Sequence, residues 1–306
     1  MRLQDEEAMV LEMGMNHFGE IRLLTSIAKP NICIITNIGT SHIGNLGSRE
    51  NILKAKLEIL EGTENPTIII NNDNDLLHKW QEANQDKMNI ITYGIHEPSD
   101  INADNIVLKE EGSEYTCRMW SQDTVIKVPV GGEHFILNSL CALSVGEVLK
   151  IEDDEIKKGI EEFELTKKRM DITELENGVR IINDAYNASL ESMQASLAYL
   201  REVKANRKIA ILGDMLELGE YSQKLHEKVG EEVYKNKIDI LICSGENAKY
   251  IVKRAEEVGM PKENVYYFAK KEEMENKLKE IVKTGDVVLL KASNGMRFFE
   301  IVEKLL

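Results

Sequence analysis

The stretch that decides the fold is Ile32-Cys-Ile-Ile-Thr-Asn-Ile-Gly-Thr-Ser-His42, a short apolar run that ends in a polar, glycine-containing loop. Such a run, bounded by turn residues, is typical of a strand that is buried on both faces of a parallel sheet. Similar runs rich in Ile and Val recur along the chain, and segments of helical period separate them. This alternation predicts an α/β fold in which helices connect parallel strands.

The predicted strands form two series. The first comprises Ala8 to Glu12, Ile32 to Ile38, Thr67 to Asn71 and Asn89 to Tyr93. Between Ile101 and Val130 the pattern changes to alternation, which predicts a small antiparallel insert, and helices are expected from about Phe135 to Phe163. The second series comprises Val179 to Asn183, Lys208 to Leu212, Ile238 to Cys243, Asn264 to Phe268 and Asp286 to Leu290.

A basic connector, Leu165-Thr-Lys-Lys-Arg169, separates the two series. We therefore expect one domain in residues 1–165, a parallel sheet with the antiparallel insert. Residues 166–306 should form a second, doubly wound Rossmann-like domain. A length of 306 residues fits two domains, since a typical domain has about 100 to 200 residues.

Composition and charge exclude several classes of protein. Lys plus Arg number 38 and Asp plus Glu 53, a net charge of −15 that repels nucleic acid and anionic membranes. The four cysteines are far apart and form no CxxC pair, which argues against a disulfide framework or a zinc cluster. The sequence shows no signal peptide and no apolar run near the ~18 residues of a membrane span. We expect a soluble cytoplasmic protein.

Glu12 and His42 are the first candidate site residues. Each follows a predicted strand, and open parallel sheets bind ligands at the carboxyl ends of their strands. A carboxylate and an imidazole that meet there could hold a divalent cation. Ordinary loop residues that make hydrogen bonds are the alternative.

Lys56 is a third candidate because of its place on a predicted helix. The helix begins after Ser48, its expected N-cap, and Lys56 falls within the apolar stripe while Lys54 points away. A lysine in a buried stripe must reach solvent, pair, lose its proton or be covalently modified. The sequence alone leaves these alternatives open.

Four further loops carry polar residues, and three of them also hold glycine. Gly131-Gly-Glu-His134 leads into a helix that contains Asn138, and a helix N-terminus after glycines is a plausible place for a nucleotide. Asp184-Ala-Tyr-Asn187, Gly213 to Gly219 and Lys291 to Met296 follow strands of the second series. They suggest a site that faces the first domain, although strand-end turns are polar in any α/β protein.

Two nucleotide-binding motifs are absent from the sequence. It has no GxGxxG, which argues against a dinucleotide-dependent oxidoreductase, and no GxxxxGK[ST], because it holds no Gly-Lys pair.

Six segments together resemble the Mur ligases. They are Leu11-Glu-Met-Gly-Met-Asn-His-Phe-Gly-Glu-Ile21, Thr36-Asn-Ile-Gly39 with His42, Leu46-Gly-Ser-Arg-Glu50, Lys54-Ala-Lys-Leu-Glu-Ile59, Asn183-Asp-Ala-Tyr-Asn-Ala188 and Leu212-Gly-Asp-Met-Leu-Glu-Leu-Gly-Glu220. The resemblance covers nearly the whole chain. It is strongest to the members that add D-alanyl-D-alanine to UDP-N-acetylmuramoyl tripeptide, using ATP and Mg²⁺, in peptidoglycan synthesis. It implies a central ATPase domain that is truncated at its amino end, followed by a Rossmann-like carboxyl-terminal domain.

The resemblance also implies roles for individual residues. Glu12 and His42 would bind Mg²⁺, and Lys56 would be carbamylated by CO₂ and complete the catalytic and metal set. The implied nucleotide contacts are Asn138 with adenine, Arg169 with the ATP phosphates and Asp184 with ribose. The implied substrate contacts are Asn16 and His17 with the muropeptide, and Asn187, Lys291 and Ser293 with the incoming dipeptide.

The sequence departs from the family pattern at several places. Phe135, Ser189-Leu190 and Asn294 replace a usual Asn, Asn-Pro and Arg, and the last change could weaken an anion contact. Full-length relatives also begin with a UDP-binding domain and a phosphate-binding Gly-Lys-[ST] loop, both upstream of the residue that matches Met1. We therefore expect little or no ligase activity from this polypeptide alone. The alternatives are a half of a split ligase, a separate amino-terminal fragment being its partner, or a non-catalytic pair of nucleotide- or peptide-binding domains.

Overall fold

The computed structural model describes residues 7–119, 122–165 and 169–305. These residues contain two six-stranded sheets, with strand orders β1-β2-β3-β4-β5-β6 and β11-β10-β9-β12-β8-β7. We call residues 7–165 the first lobe and residues 169–305 the second lobe. The α/β class predicted from the sequence is confirmed.

The first sheet is parallel from β1 to β4 and antiparallel from β4 to β6. Its strands are β1 (Ile32–Ile35), β2 (Thr67–Asn71), β3 (Ile90–Gly94), β4 (Ile101–Lys109), β5 (Gly112–Met119) and β6 (Gln122–Val128). The helices of this lobe are α1 (Glu20–Ala28), α2 (Ile43–Leu46), α3 (Arg49–Leu57), α4 (Asp75–Glu82), α5 (Glu133–Val148) and α6 (Asp153–Glu161). The antiparallel insert is therefore present where the alternating pattern predicted it.

The second sheet is parallel except for β7, which pairs antiparallel with β8. Its strands are β7 (Asp171–Glu174), β8 (Arg180–Asn183), β9 (Arg207–Gly213), β10 (Ile240–Ser244), β11 (Val265–Phe268) and β12 (Asp286–Lys291). The helices of this lobe are α7 (Leu190–Glu202), α8 (Ser222–Lys235), α9 (Ala248–Glu257), α10 (Lys271–Ile281) and α11 (Ile301–Leu305).

Two hydrophobic clusters form the core. One includes Ile69 and Ile136 of the first lobe and continues to Leu197 and Val229 on one face of the second sheet. The other lies on the opposite face of the second sheet, where α10 and α11 pack around Phe298. Because one cluster spans both lobes, the edges that carry the polar loops are held against each other.

The predicted strand from Ala8 to Glu12 is wrong. Residues 8–12 are irregular and exposed, and Val10 is 89 % exposed. Within the described part of the chain, residues 8–12 form no backbone hydrogen bond with β1, which is an edge strand of the sheet. An extended segment without a ladder partner is not stabilised as a strand, which explains the difference.

Strand β1 ends at Ile35 instead of the predicted Ile38, because two side chains bind the following carbonyls. Lys56 donates to the carbonyl of Asn37, and Arg49 donates to the carbonyl of Ile38. These bonds turn the chain out of the sheet. The edge strand β7 was not predicted, because no alternation of apolar residues marks it.

The domain boundary between residues 165 and 166 stays a prediction, since residues 166–168 lie outside the described residues. Every helix in the described part of the chain is too short or too polar to cross a lipid bilayer.

Candidate functional site between the lobes

The carboxyl edges of the two sheets meet through two loops. We call residues 36–42 the β1 loop and residues 214–221 the β9 loop. The Gly44 amide, just after the β1 loop, donates to the carbonyl of Glu217 at 3.1 Å. A Cβ at Gly44 would lie 2.6 Å from that carbonyl oxygen, so the backbones approach closely only because this residue is glycine. The Tyr221 hydroxyl donates to the carbonyl of Gly47 at 2.5 Å and extends the contact.

Lys56 lies on the side of α3 that faces the β1 loop. The Ser48 side chain accepts the amide of Asn51 and caps the helix, as predicted. The Lys56 ammonium is half-buried and donates to the carbonyl of Asn37 at 2.6 Å, whereas Lys54 is exposed. Burial lowers the pKa of Lys56, and the negative charge of Glu191 partly opposes this effect. A lower pKa leaves more of the amine uncharged and therefore nucleophilic.

Glu191 is a carboxylate of the second lobe that reaches the β1 loop. It lies in the first turn of α7, which Ser189 caps by accepting the amide of Ser192. Its Oε2 accepts the hydroxyl of Thr40 at 3.0 Å. A Cβ at Gly39 would lie 2.8 Å from the same oxygen, so glycine leaves room for the carboxylate.

His42 faces a second carboxylate of the second lobe. Its Nδ1 lies 2.5 Å from Oε2 of Glu217, within hydrogen-bond distance. Glu217 itself adopts a positive φ of 62°, which turns the β9 loop toward the first lobe. The structure therefore engages His42 in a contact between the lobes.

Glu12 does not join His42 and Lys56 in one cluster. Its side chain is exposed in the irregular segment that follows residue 7. Within the described residues, the chain has no group of three or more His, Cys, Asp and Glu that could hold a metal ion. As they stand, the three predicted ligands do not fit a Mg²⁺ site, because Glu12 is exposed in an irregular segment and Lys56 is an ammonium that donates to the carbonyl of Asn37.

Asp184 and Lys291 form a buried ion pair where β8 and β12 end. The Lys291 ammonium donates to Oδ2 of Asp184 at 2.5 Å and to the carbonyl of Asn187 at 3.2 Å. Ser196 also donates to Oδ2, and the Met170 amide donates to Oδ1. Asp184 and Lys291, which the resemblance assigned to ribose and to the dipeptide, therefore already have partners within the protein. They order the loop that carries Asn187, whose side chain is exposed.

Two of the predicted nucleotide contacts belong to the surroundings of this pair, since Asp184 is one of its members and the charge of Arg169 acts on Lys291. Burial lowers the pKa of His134 to about 4, and the charges of Asp184 and Lys291 act on it with opposite signs. The Arg169 guanidinium stacks 4.4 Å above the ring of Tyr186, a cation–π contact that leaves Arg169 exposed. Asn138 is exposed on α5.

The predicted muropeptide contacts lie in a turn before α1. The Asn16 side chain accepts an amide hydrogen from Asn45 at 2.7 Å, and the backbone amides of Asn16 and His17 donate to Glu20. Glu58, only 3 % exposed, accepts the amide of Gly19 at 2.8 Å. This carboxylate holds the turn against the end of α3, and His17 faces solvent.

Ser293 is buried and serves the β9 loop. Its hydroxyl accepts the Leu216 amide at 2.9 Å, and its own amide donates to the carbonyl of Asp214. The Asp214 carboxylate accepts the amides of Asn247 and Ala248 at the start of α9. His226 accepts the amide of Met215. Ser293 therefore has a structural partner.

The residue-by-residue sequence analysis missed Glu191, Glu217 and Glu58. Glu217 lies in the Gly213 to Gly219 loop that was singled out, but nothing in the sequence tells which of its side chains crosses to the other lobe. A first-turn acid after an N-cap serine is the signal for Glu191, yet this pattern also marks any stabilised helix start. Glu58 lies within the quoted Lys54 to Ile59 segment, two residues after Lys56, but no pattern marks it as the acceptor for a distant turn.

Comparison with known proteins identifies the family. Residues 1–146 match the Mur ligase middle domain, and residues 168–294 match the glutamate ligase domain of Mur ligases. A UDP-N-acetylmuramoyl-tripeptide–D-alanyl-D-alanine ligase of Bacillus subtilis is 34% identical over 304 residues, 99% of this chain and 65% of the relative. The ligase of the same name in Escherichia coli is 30% identical over 97% of this chain and 64% of the relative.

Solved structures agree with these matches. MurF of Acinetobacter baumannii superposes with a TM-score of 0.86 at 25% identity, over 95% of this chain and 63% of that one. MurF of Thermotoga maritima in complex with ADP gives a TM-score of 0.81 at 27% identity, over 95% and 65%. The chain thus spans less than two thirds of the length of these relatives. With both of its halves matched by Mur ligase domains and its fold shared with solved members, the chain belongs to the Mur ligase family.

Proposed function

We propose that this chain supplies the central part, residues 1–165, and the carboxyl-terminal part, residues 166–306, of an ATP-dependent ligase. The ligase would join D-alanyl-D-alanine to UDP-N-acetylmuramoyl tripeptide in the cytoplasm. Cell shape and cell division depend on this step of peptidoglycan synthesis. Relatives that carry this activity in their names are similar along almost the whole chain, which supports the proposal. The neighbour solved with ADP supports the use of ATP.

The observation that carries the proposal is the setting of Lys56. The half-buried amine donates to the carbonyl of Asn37 in the β1 loop, and burial lowers its pKa while the charge of Glu191 of the second lobe partly opposes this. An uncharged amine can attack CO₂, and the product is a carbamate with release of one proton. A lysine that served only to pack its aliphatic stem would have no reason to keep its ammonium inside the site.

The reaction would proceed through an acyl phosphate. The carboxylate of the tripeptide attacks the γ-phosphate of ATP, and ADP leaves. The amine of the dipeptide then attacks the activated carbonyl, and phosphate leaves from a tetrahedral intermediate. No part of this proposal depends on Mg²⁺ bound by Glu12 and His42, since those residues do not assemble a site here.

The remaining predicted residues would act around this chemistry. Asn138 is exposed and would contact the adenine, and Arg169 is exposed and would contact the phosphates. Asp184 would bind the ribose while it remains paired with Lys291. On the substrate side, His17 and Asn187 are exposed. Asn16, Lys291 and Ser293 would act mainly by ordering the loops that touch substrate.

Activity of the polypeptide alone is expected to be low. Phosphoryl transfer depends on positioning and on neutralising charge, and a phosphate-binding loop supplies much of both. The sequence holds no GxxxxGK[ST] motif. Each power of ten in rate that is lost without this loop corresponds to about 1.4 kcal/mol of activation free energy.

A reconstitution assay tests the proposal. The chain is mixed with ATP, tripeptide substrate and D-alanyl-D-alanine, with and without a separately expressed amino-terminal piece of a relative. Phosphate release and the ligated product are measured. We expect turnover only in the complemented mixture, its loss in Lys56→Ala, and its retention in Lys54→Ala, which removes an exposed lysine of the same helix. Turnover near family rates by the chain alone would contradict the expected low activity.

A non-catalytic pair of nucleotide- or peptide-binding domains is the second candidate. The observation in its favour is that Glu12 is exposed in an irregular segment and that the described residues hold no group of three or more His, Cys, Asp and Glu suited to a metal ion. Binding of ATP or dipeptide by calorimetry, together with no turnover in the complemented mixture, would favour this candidate over the ligase.

A further inference from the structure

His226 of α8 is a fully buried histidine whose two ring nitrogens have different partners. Its Nε2 accepts the Met215 amide at 3.0 Å, and its Nδ1 lies 2.7 Å from the carbonyl of Ser222, one helical turn earlier. Because an amide only donates and a carbonyl only accepts, Nε2 must be free of a proton and Nδ1 must carry one. The contacts therefore select one neutral tautomer, and an imidazolium would place two N–H groups against each other at Met215.

The amide that His226 binds lies at the base of the β9 loop. Ser293 binds the peptide groups on either side, since its amide donates to the carbonyl of Asp214 and its hydroxyl accepts the Leu216 amide. In the next residue, the carbonyl of Glu217 accepts an amide of the first lobe. His226 and Ser293 therefore hold three successive residues just before the loop reaches the other lobe.

The charge that acts on His226 within the described residues is that of Asp214. Burial lowers the pKa of His226, and the bond to the Ser222 carbonyl and the charge of Asp214 partly oppose this. The other charged side chains of α8 near the ring are exposed or paired elsewhere: Lys224, Lys228, Glu227 with Gln223, Glu231 with Arg254 of α9, and Glu232 with Gln194 of α7. The ring is therefore neutral at neutral pH.

We propose that His226 is a positioning residue, which in its Nδ1–H tautomer holds the β9 loop in the conformation that contacts the first lobe and Ser293. Its effect on ligation rests on the proposed function, whereas its effect on the loop does not. When the acceptor is lost, by substitution or by protonation, the Met215 amide has no partner and the loop base loosens. The bond between Gly44 and Glu217 then opens more often.

The tautomer is read by ¹⁵N NMR of the histidine-labelled chain, because protonated and unprotonated ring nitrogens differ in chemical shift. The signals of His226 are assigned by their loss in His226→Gln. We expect a protonated Nδ1 and an unprotonated Nε2 at neutral pH. The reverse tautomer or an imidazolium would overturn the proposal.

Hydrogen–deuterium exchange with mass spectrometry measures the loop itself. Peptides that cover residues 213–218 report the loop base, and peptides that cover residues 40–47 report the Gly44 amide, whose partner lies in the second lobe. The Thr92 amide, bound to Asp100 within the first lobe, is the internal reference. Rates are divided by the intrinsic rate at each pH.

Two variants of similar volume separate hydrogen bonding from packing. His226→Leu has no acceptor, whereas His226→Gln keeps an acceptor oxygen near the place of Nε2 and does not titrate. At neutral pH we expect exchange of the loop base to rise about tenfold in His226→Leu and less than about twofold in His226→Gln. The Gly44 peptide should follow with a rise of about threefold. Lys224→Met, an exposed lysine of the same helix, should change neither peptide.

A pH series gives a readout that a merely structural side chain would not change. As pH falls from about 7.5 to about 4.5, protection of both peptides should decrease about threefold more in the parent chain than in His226→Gln. His78→Gln, which removes a histidine of α4 that contacts Asn72, should decrease as the parent does. Equal decreases in the parent and in His226→Gln would refute the role of the neutral ring.

The remaining outcomes keep this role apart from the proposed function. Unchanged exchange of the loop base in His226→Leu, or faster exchange spread evenly over α8 and α9, would overturn the proposal. Faster exchange there without a change at Gly44 would overturn the link to the lobe contact. If His226→Leu does not fold, the pH series of the parent and His226→Gln decides. In the complemented ligation assay, His226→Leu should lower kcat/KM and His226→Gln should restore it; no turnover in any mixture would contradict the proposed function, while the exchange data still decide the role of His226.

Discussion

Replacement of Lys291 by methionine should destabilise the second lobe strongly. The ammonium is 3 % exposed, and its partner Asp184 is 13 % exposed, so neither charge is well solvated. Methionine has a similar length but cannot donate, so Asp184 keeps only its bonds from Ser196 and Met170, and the carbonyl of Asn187 loses its donor.

Removal of one partner of a buried pair costs about 3–5 kcal/mol, because the other charge stays buried without compensation. At about 1.4 kcal/mol for each factor of ten, the unfolding equilibrium of the second lobe should rise by roughly two to three and a half powers of ten. Addition of Asp184→Asn removes the uncompensated charge. The double variant should therefore be more stable than the sum of the two single effects predicts.

Urea unfolding followed by circular dichroism measures the effect. Hydrogen exchange of β8 and β12 assigns it to the second lobe, since two lobes need not unfold together. Lys228→Met is the matched control, an exposed lysine on α8. A cost below about 1 kcal/mol for Lys291→Met, or additive effects in the double variant, would refute the buried-pair reasoning.

Three further predictions concern pH, the turn before α1 and the two lobes. Because burial lowers the pKa of His134 to about 4, the unfolded chain binds a proton first as pH falls from about 6.5. The free energy of unfolding should fall between these pH values, and this fall should be absent in His134→Gln. If the free energy, measured by urea unfolding, changes equally with pH in both proteins, the assignment to His134 is wrong. Glu58→Gln weakens the acceptor of Gly19 and should cost about 1–3 kcal/mol, seen as faster exchange in the turn and α1 but not in the second lobe. The second lobe should be the more stable unit, because large exposed apolar side chains concentrate between Met9 and Ile27 of the first; equal exchange protection in both lobes would count against this.

The order of secondary structure was predictable because buried strands leave a strong pattern. β2, β3 and the five parallel strands of the second lobe lie within two residues of the segments that the apolar runs marked. The wrong first strand and the missing β7 have one cause: the pattern records burial but not pairing. The apolar run from Ala8 to Glu12 has no described strand beside it, and the polar β7 gains its hydrogen bonds from β8 without any apolar signal.

The candidate site was predictable only as a location. Strand-end position brought His42, Asp184 and Lys291 to the edges where the lobes meet, and the apolar stripe of α3 did the same for Lys56. Glu12, also placed at a strand end, is exposed in an irregular segment. The sequence pattern could not tell which of them the protein itself satisfies, because partners such as Glu191 come from more than a hundred residues away. The roles of these residues in metal, nucleotide and substrate binding remain predictions.

A consequence for ligand binding follows from the carboxylate of Glu217. It occupies Nδ1 of His42, so any ligand that needs this nitrogen must first displace an existing contact. The apparent dissociation constant is then the intrinsic value divided by the fraction of molecules in which the contact is open. If about 1% were open, binding would be about a hundredfold weaker than the site alone would give. Glu217→Gln should therefore strengthen the binding, measured by calorimetry, of ligands that use Nδ1 of His42, although it removes a charge from the lobe contact.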